Sequence, residues 1–300
     1  MGPAFLGYLR LARPANLPTA AADILAGLAI ARLYGEAFDP GFPETSLLIK
    51  GLWLVLASVA LYAGGVIFND VFDAELDRVE RPERPIPSGL VTITSAAVFG
   101  GFLLLTGVIL AFLAHPFSGF IALLLAFAIL LYDGYFKKFS FLGPLNMGIC
   151  RGLNLILGMS VLGSVLHWWY AVIPLLYIFA ITLISRGEVH GRNKNHIIWA
   201  AILYALVIFC VLYIVILHPG HALAAFLLLV LFAFLIYTPL AKAYRENNAG
   251  NIKKAVIAGV LSLIVLDATL AVIFTHWWYG FLILLLWPLS RLLSKIFAVT

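Results

Sequence analysis

Apolar runs of about 20 residues recur along this 300-residue chain between short polar breaks, the length a helix needs to cross a hydrocarbon core. They fall near 14–33, 50–68, 92–114, 119–135, 143–165, 169–185, 197–217, 221–240 and 252–275. A tenth run, 279–297, either spans or lies in the interface. The pattern predicts an all-α polytopic membrane bundle forming a single integral-membrane domain over 1–300. Two segments reading HWWY, at 167–170 and 276–279, each follow a span of the same expected direction. The polar breaks 69–91 and 186–196 also occupy similar places in successive helix groups. The chain therefore reads as two related four-helix groups, about 14–135 and 143–240, followed by C-terminal helices over 252–297.

Composition agrees with lipid as the solvent. Hydrophobic residues make up 63% of the chain and charged residues 11%, whereas soluble domains are about a quarter charged. The start bears arginine and proline with no small-residue cleavage site, so no removable signal peptide is expected. Cys150 and Cys210 both fall in apolar runs, which argues against a disulfide framework. The net charge of +5 does not indicate nucleic acid, because sixteen of the nineteen Lys and Arg residues sit at breaks on one side. By the positive-inside rule that side, with the N-terminus and the breaks 69–91, 136–142, 186–196 and 241–251, is cytoplasmic in a plasma (inner) membrane. The opposite breaks carry histidine and aromatic residues, as an interfacial belt does.

One stretch departs from the pattern. From Asp70 to Arg84 the chain places nine charged residues at the end of a greasy span. If the helix continues, spacings of three and four put Asp70, Asp73 and Asp77 on one face. Three aligned carboxylates repel unless a cation neutralises them, and Mg²⁺ prefers carboxylate oxygen while bridging readily to phosphate. An ordinary solvated helix end accounts for Glu75 and Glu80. It leaves Asn69 and the aligned aspartates unexplained.

Asn69-Asp70-x-x-Asp73-x-x-x-Asp77, followed by Arg84-Pro85-Ile86-Pro87-Ser88-Gly89, resembles the first aspartate-rich motif of the UbiA superfamily of intramembrane prenyltransferases. The opening YLRLARPANLPTA (8–20) and LYDGYFKK (131–138) are similar to that family as well, and the likeness covers essentially the whole chain. Within it, the combination most resembles the divergent UbiA-like branch of ebo gene clusters. The resemblance implies a helical bundle that binds an isoprenyl diphosphate through Mg²⁺ and passes the prenyl group to a small-molecule or lipid acceptor. It assigns Asn69, Asp70, Asp73 and Asp77 to the metal, and Asn16, Arg84, Tyr132 and Lys137 or Lys138 to the diphosphate. The family's Y-x-x-x-K is lengthened here by one residue, since Phe136 stands four beyond Tyr132. The family's second acidic motif, D-x-x-x-D, is replaced by SRGEVHGRNKNH (185–196), in which Glu188 is the one carboxylate and Arg192 stands four residues on. There Glu188 and Arg192 are the residues expected to approach the diphosphate, the guanidinium gripping phosphate oxygens directly.

Arg151 lies about eight residues into the fifth span with Asn154 one turn on, a depth at which an arginine must face a cavity or a partner. It reads either as a structural partner of Asp23 or Asp133, or as a diphosphate clamp that joins Asp70, Asp73 and Asp77 in the catalytic set. Stabilising the leaving diphosphate is the main task of such chemistry, and apolar walls keep water from the allylic cation. Two other classes fit parts of the pattern. A non-catalytic binder or transporter of an isoprenoid-linked metabolite needs the same first motif and explains the missing second one. A cation-coupled transporter using Asp23 and Asp267 leaves the 68–89 stretch unexplained.

Overall fold

The computed structural model describes residues 3–35, 44–188, 191 and 193–297. Among them all regular structure is helical: α1 (Pro3–Leu11), α2 (Leu17–Gly35), α3 (Glu44–Phe72), α4 (Ala74–Glu80), α5 (Ile93–Ala114), α6 (Pro116–Gly134), α7 (Leu142–Met159), α8 (Val172–Ser185), α9 (Lys194–Leu217), α10 (Ala222–Arg245), α11 (Ala249–Phe274), α12 (Trp277–Leu284) and α13 (Leu286–Ile296). Among the described residues, ten stretches are long and apolar enough to cross a membrane. The expected first span is preceded by a separate short helix, α1, because the chain turns sharply at Arg13 and Pro14 before α2 begins. The tenth span bends at Leu285, where Pro288 removes the N–H that would close the ladder onto residue 284. Much of the polar stretch 69–91 is helix rather than loop, since α3 runs through Asn69 to Phe72 and α4 follows at once.

The sequence supplies its own punctuation between spans. His115 ends α5 and begins α6, its Nδ1 accepting from Phe117 N–H at 3.1 Å ahead of Pro116 at the first turn. Thr92 caps α5 by accepting from Ser95 N–H at 3.2 Å, and Asn248 caps α11 by accepting from Asn251 N–H at 2.9 Å. Each cap satisfies a backbone donor that the polar break would otherwise leave without a partner.

α2 and α11 form the centre. α2 packs against α3, α7 and α11, while α11 also meets α8, α10 and α12. The outer faces of α5, α9 and α10 expose Phe102, Phe209, Ile216 and Leu223, which is the surface lipid requires and water would not tolerate. Two main apolar clusters fill the interior, one among α7–α11 with α2, the other among α2, α3, α5, α6 and α7.

The contact that positions the interior polar groups is the crossing of α2 and α7. A Cβ built on Gly158 falls 2.6 Å from the Ile24 carbonyl oxygen, and one on Gly27 falls 2.6 Å from the Leu155 carbonyl oxygen. Two backbones touch there, as small residues permit in membrane helices. That closeness sets Arg151 and Asn154 of α7 directly against Thr19 and Asp23 of α2. Backbone cannot yield as a side chain does, so Gly158→Ala is expected to cost about 1–3 kcal/mol by overpacking. Thermal unfolding in detergent should show a lowered midpoint for Gly158→Ala and none for Gly220→Ala, whose Cβ meets open space.

Candidate functional site

The charged stretch is held by cations from two other segments and by its own Arg84. The helical ladder carries across the α3–α4 junction, with Asp73 N–H donating to Asn69 C=O at 3.0 Å and Asp77 N–H to Asp73 C=O at 2.8 Å. Asp70 and Asp77, two turns apart, therefore share a side, and Arg84 answers both. Its Nη1 lies 2.6 Å from Asp77 Oδ2 and 3.1 Å from Asp70 Oδ1. Arg84 is carried back under the helix by its own proline-rich turn, closed by Ser88 N–H to Arg84 C=O and Val91 N–H to Pro85 C=O. Gly89 supplies the positive φ of 77° which that turn needs. Lys137 Nζ reaches Asp73 Oδ1 at 2.5 Å. Arg13 pairs with Asp70.

Arg13 also has the one non-glycine positive φ among the described residues, 46°, and it precedes Pro14. A residue before proline avoids helical conformations, and a side chain in the left-handed region costs of the order of 1–3 kcal/mol. The ion pair to Asp70 holds the guanidinium in place at that cost.

Behind this rim lies a cavity of about 370 Å³, within the range of small-ligand pockets. Arg13, Asn69, Tyr132 and Asp133 stand at its charged end, and Ile129, Ile181, Val260 and Leu263 form apolar wall. Ser58 and Asn154 line its far end. Ser58 and Asn69 are eleven residues apart in α3, so the cavity runs about 16 Å along the helices. That shape suits a molecule with an anionic head and an apolar tail.

Arg151 lines the cavity and is itself gripped. Its Nε lies 2.6 Å from Asp23 Oδ2, its Nη2 donates to Thr19 C=O at 2.5 Å and its Nη1 to Thr19 Oγ1 at 3.3 Å. Asn154 joins the set, donating to Asp23 Oδ2 at 2.8 Å and accepting from Ser58 Oγ at 2.7 Å. The pairing with Asp23 expected of a structural arginine and the cavity position expected of a clamp are both present. Asp267 is fully buried on α11, its carboxyl in side-chain hydrogen-bond contact with that of Asp23.

The remaining sequence-selected residues separate by position. Asn69, Tyr132 and Arg151 line the cavity, Asp70 is joined to its rim through Arg13, and the Asp73–Lys137 pair stands near enough to act on the charge of the lining residue Asp133. Asp77 and Arg84 stand behind the rim, holding the turn. Lys138 is exposed, so of the two lysines it is Lys137 that faces the acidic motif. Asn16 is half-buried, does not line the cavity, and accepts from Thr19 Oγ1 through its carbonyl at 2.8 Å. Glu188 is half-buried; burial pushes its carboxyl up, while Arg81, Lys253 and Arg13 pull it back. Those neighbours show that the second polar break approaches the first. Arg186 fastens it further, donating to Phe139 C=O at 2.6 Å. Arg192 lies outside the described residues.

Two charged cavity residues did not emerge from the sequence as site residues. Arg13 and Asp133 sit inside quoted motifs, where Asn16, Tyr132 and the lysines drew the attention. Their partners are remote, Asp70 being 57 residues from Arg13 and Asn69 being 64 from Asp133.

The fold and cavity define a polytopic helical membrane protein with an acidic and basic mouth over an apolar pocket. The profile of the UbiA prenyltransferase family matches residues 24–249, and the chain belongs to that family. Digeranylgeranylglyceryl phosphate synthase of Methanococcoides burtonii is 38% identical over 157 residues, covering 52% of this chain and 55% of that protein. The enzyme of the same name from Saccharolobus solfataricus is 29% identical over 196 residues, covering 63% and 66%. The matched stretches thus span between about half and two-thirds of these relatives' length. Among solved structures, one of a digeranylgeranylglyceryl phosphate synthase in membranes superposes with a TM-score of 0.65 at 21% identity, covering 90% of this chain and 98% of that one. A UbiA homolog from Archaeoglobus fulgidus bound to GPP and Mg²⁺ gives 0.65 at 14% identity, covering 92% and 99%. These likenesses establish the shared fold.

Arg84 is the test of how the rim is held. Arg84→Met keeps the bulk and removes the charge that answers Asp77, leaving a buried carboxylate without its partner. Such losses cost about 3 kcal/mol. Thermal unfolding should show a clear drop, largely restored in the Arg84→Met/Asp77→Leu double variant, which removes both charges.

Proposed function

We propose that this protein is a Mg²⁺-dependent prenyltransferase that moves an isoprenyl group from a prenyl diphosphate to a hydroxyl of a prenylated glyceryl phosphate, at the cytoplasmic mouth of the cavity. The observation that carries the reading is the juxtaposition of paired carboxylates and cations with an apolar pocket about 16 Å deep. The acceptor class is supported by the relatives from Methanococcoides burtonii and Saccharolobus solfataricus, whose name describes two geranylgeranyl groups on glyceryl phosphate. The cytoplasmic placement in the plasma membrane is supported by the one-sided basic residues. The single carboxylate of the second break, Glu188, supports placing the chain in the divergent branch found in ebo gene clusters.

The donor set fits magnesium. No group of three or more His, Cys, Asp or Glu among the described residues is arranged to cage an ion. Mg²⁺ does not ask for one, because it keeps waters and uses one or two carboxylates together with substrate phosphate. Asn69, Asp70 and Asp73 are the residues that would hold it. When bound, Mg²⁺ neutralises diphosphate charge as the carbon–oxygen bond weakens. Lys137 and Arg13 are half-buried and held in place by Asp73 and Asp70, so the incoming phosphate meets cations already positioned. As C1 parts from the diphosphate oxygen, the bonding pair leaves with the diphosphate, and the acceptor oxygen forms the new bond to C1 with loss of its proton. Tyr132, Ile129 and the α8 and α11 walls keep water from C1 meanwhile.

Full-length protein in detergent, given labelled geranylgeranyl diphosphate, geranylgeranylglyceryl phosphate and Mg²⁺, is expected to release pyrophosphate and form a doubly prenylated lipid. EDTA should stop both. Pyrophosphate release without lipid product would reject the acceptor class. Mg²⁺-dependent binding with no release would leave a binder or carrier in place of an enzyme.

A further inference from the structure

Asp133 is the cavity carboxylate that the ion pairs pass over. Asp70 meets Arg13 and Arg84, Asp73 meets Lys137, Asp77 meets Arg84 and Asp23 meets Arg151. Among the described residues no Lys, Arg or His comes within ion-pair distance of Asp133, although it is 3% exposed in the last turn of α6. Its hydrogen-bond partner is Asn69, whose Nδ2 donates to Asp133 Oδ1 at 2.9 Å. Both residues line the cavity.

A carboxylate accepts hydrogen bonds and cannot donate them, whereas a carboxamide presents a donor on one branch and an acceptor on the other. With Asp133 ionised, the contact therefore decides which way the Asn69 amide is turned. Its NH₂ goes to Asp133, and its Oδ1 is left as the oxygen Asn69 can offer beside Asp70. Turned the other way, the amide would present N–H groups to a cation and repel it. Second-shell partners of metal-facing groups commonly act in this way, and removing them weakens metal affinity about 10–100-fold.

We propose that Asp133 is a positioning residue, fixing the Asn69 carboxamide so that its oxygen faces the cation that accompanies the diphosphate. This rests on the Mg²⁺–diphosphate reading above. It also accounts for a buried carboxylate placed one residue from Tyr132, whose charge is met by an oriented amide instead of a salt bridge.

The test is a double-mutant cycle on the full chain, read by metal binding and not by turnover. Mn²⁺ uptake is followed by electron paramagnetic resonance in the presence of non-cleavable geranylgeranyl thiolodiphosphate, for wild type, Asp133→Ala, Asn69→Ala and the double variant. Asp133→Ala is expected to raise the half-saturating Mn²⁺ concentration about tenfold. Because Asp133 acts through Asn69, the double variant should bind no more weakly than Asn69→Ala alone, a non-additive result. Asp133→Asn keeps the shape but can donate as well as accept, so it too should weaken uptake; it carries the result if Asp133→Ala fails to fold. Losses that multiply in the double variant, or unchanged uptake in both Asp133 variants with wild type binding normally, would overturn the positioning role alone. Absence of Mn²⁺ uptake in the wild type would overturn the diphosphate reading together with it.

Discussion

The structure depends on one constraint: a charge taken into a helical bundle in lipid must be met there by a counter-charge or by an oriented hydrogen bond. An unpaired ion there carries a penalty of several kcal/mol, and this chain has few charges with which to meet it. It meets the need by pairing across distant segments. Asp70 is answered from before α2 and from the turn after α4, Asp73 from the end of α6, and Asp23 from α7. The same pairs that make burial tolerable tie α3 to the segments before α2 and after α6 at the rim, and α2 to α7 deeper in the bundle. The site is therefore a consequence of how the bundle neutralises itself, and the strained backbone at Arg13 is one place where that shows.

This view joins stability to function at the rim. Carboxylates already matched with Lys137, Arg13 and Arg84 form a nearly balanced surface, to which a dianionic head and a divalent cation can be added together with little net change. A bare acidic cluster would favour the cation and resist the phosphate. The apolar walls then serve the tail, and the Ser58–Asn154 contact closes the far end with its hydrogen bonds satisfied internally. The close α2–α7 crossing at Gly27 and Gly158 is what allows that end to be polar at all, because it brings Asn154 within reach of the Ala20 carbonyl and of Asp23.

Much of this was legible in the residues. Lipid imposes an apolar composition over a fixed length, so nine spans and a tenth candidate could be counted from the chain, and charge in so greasy a sequence marks itself. Asp70, Asp73 and Arg151 were found in that way, with Asn69 beside them, whereas Tyr132 was selected by likeness to a family position. Other features were not legible, because they depend on long-range geometry. Lys137 and Lys138 are equivalent as letters, and only the short 3₁₀ turn Phe136–Lys138 sends the first toward Asp73 and the second outward. Arg13 and Asp133 gain their roles from partners more than fifty residues away. Asn16 was selected by likeness to a family position, yet its side chain does not line the cavity. α1 escaped notice since a nine-residue helix with a mixed face leaves no span-length signal.

The central claim is that the charged rim takes the head of a prenyl diphosphate and the pocket behind it takes the tail. The most direct measurement is an experimental structure of the full-length protein with geranylgeranyl thiolodiphosphate and Mg²⁺. The account predicts the diphosphate beside Asn69, Asp70, Asp73 and Lys137, with the chain running past Ile129 and Ile181 toward Ser58 and Asn154. A diphosphate bound away from this rim, or a chain lying outside the pocket on the lipid-facing surface, would contradict it.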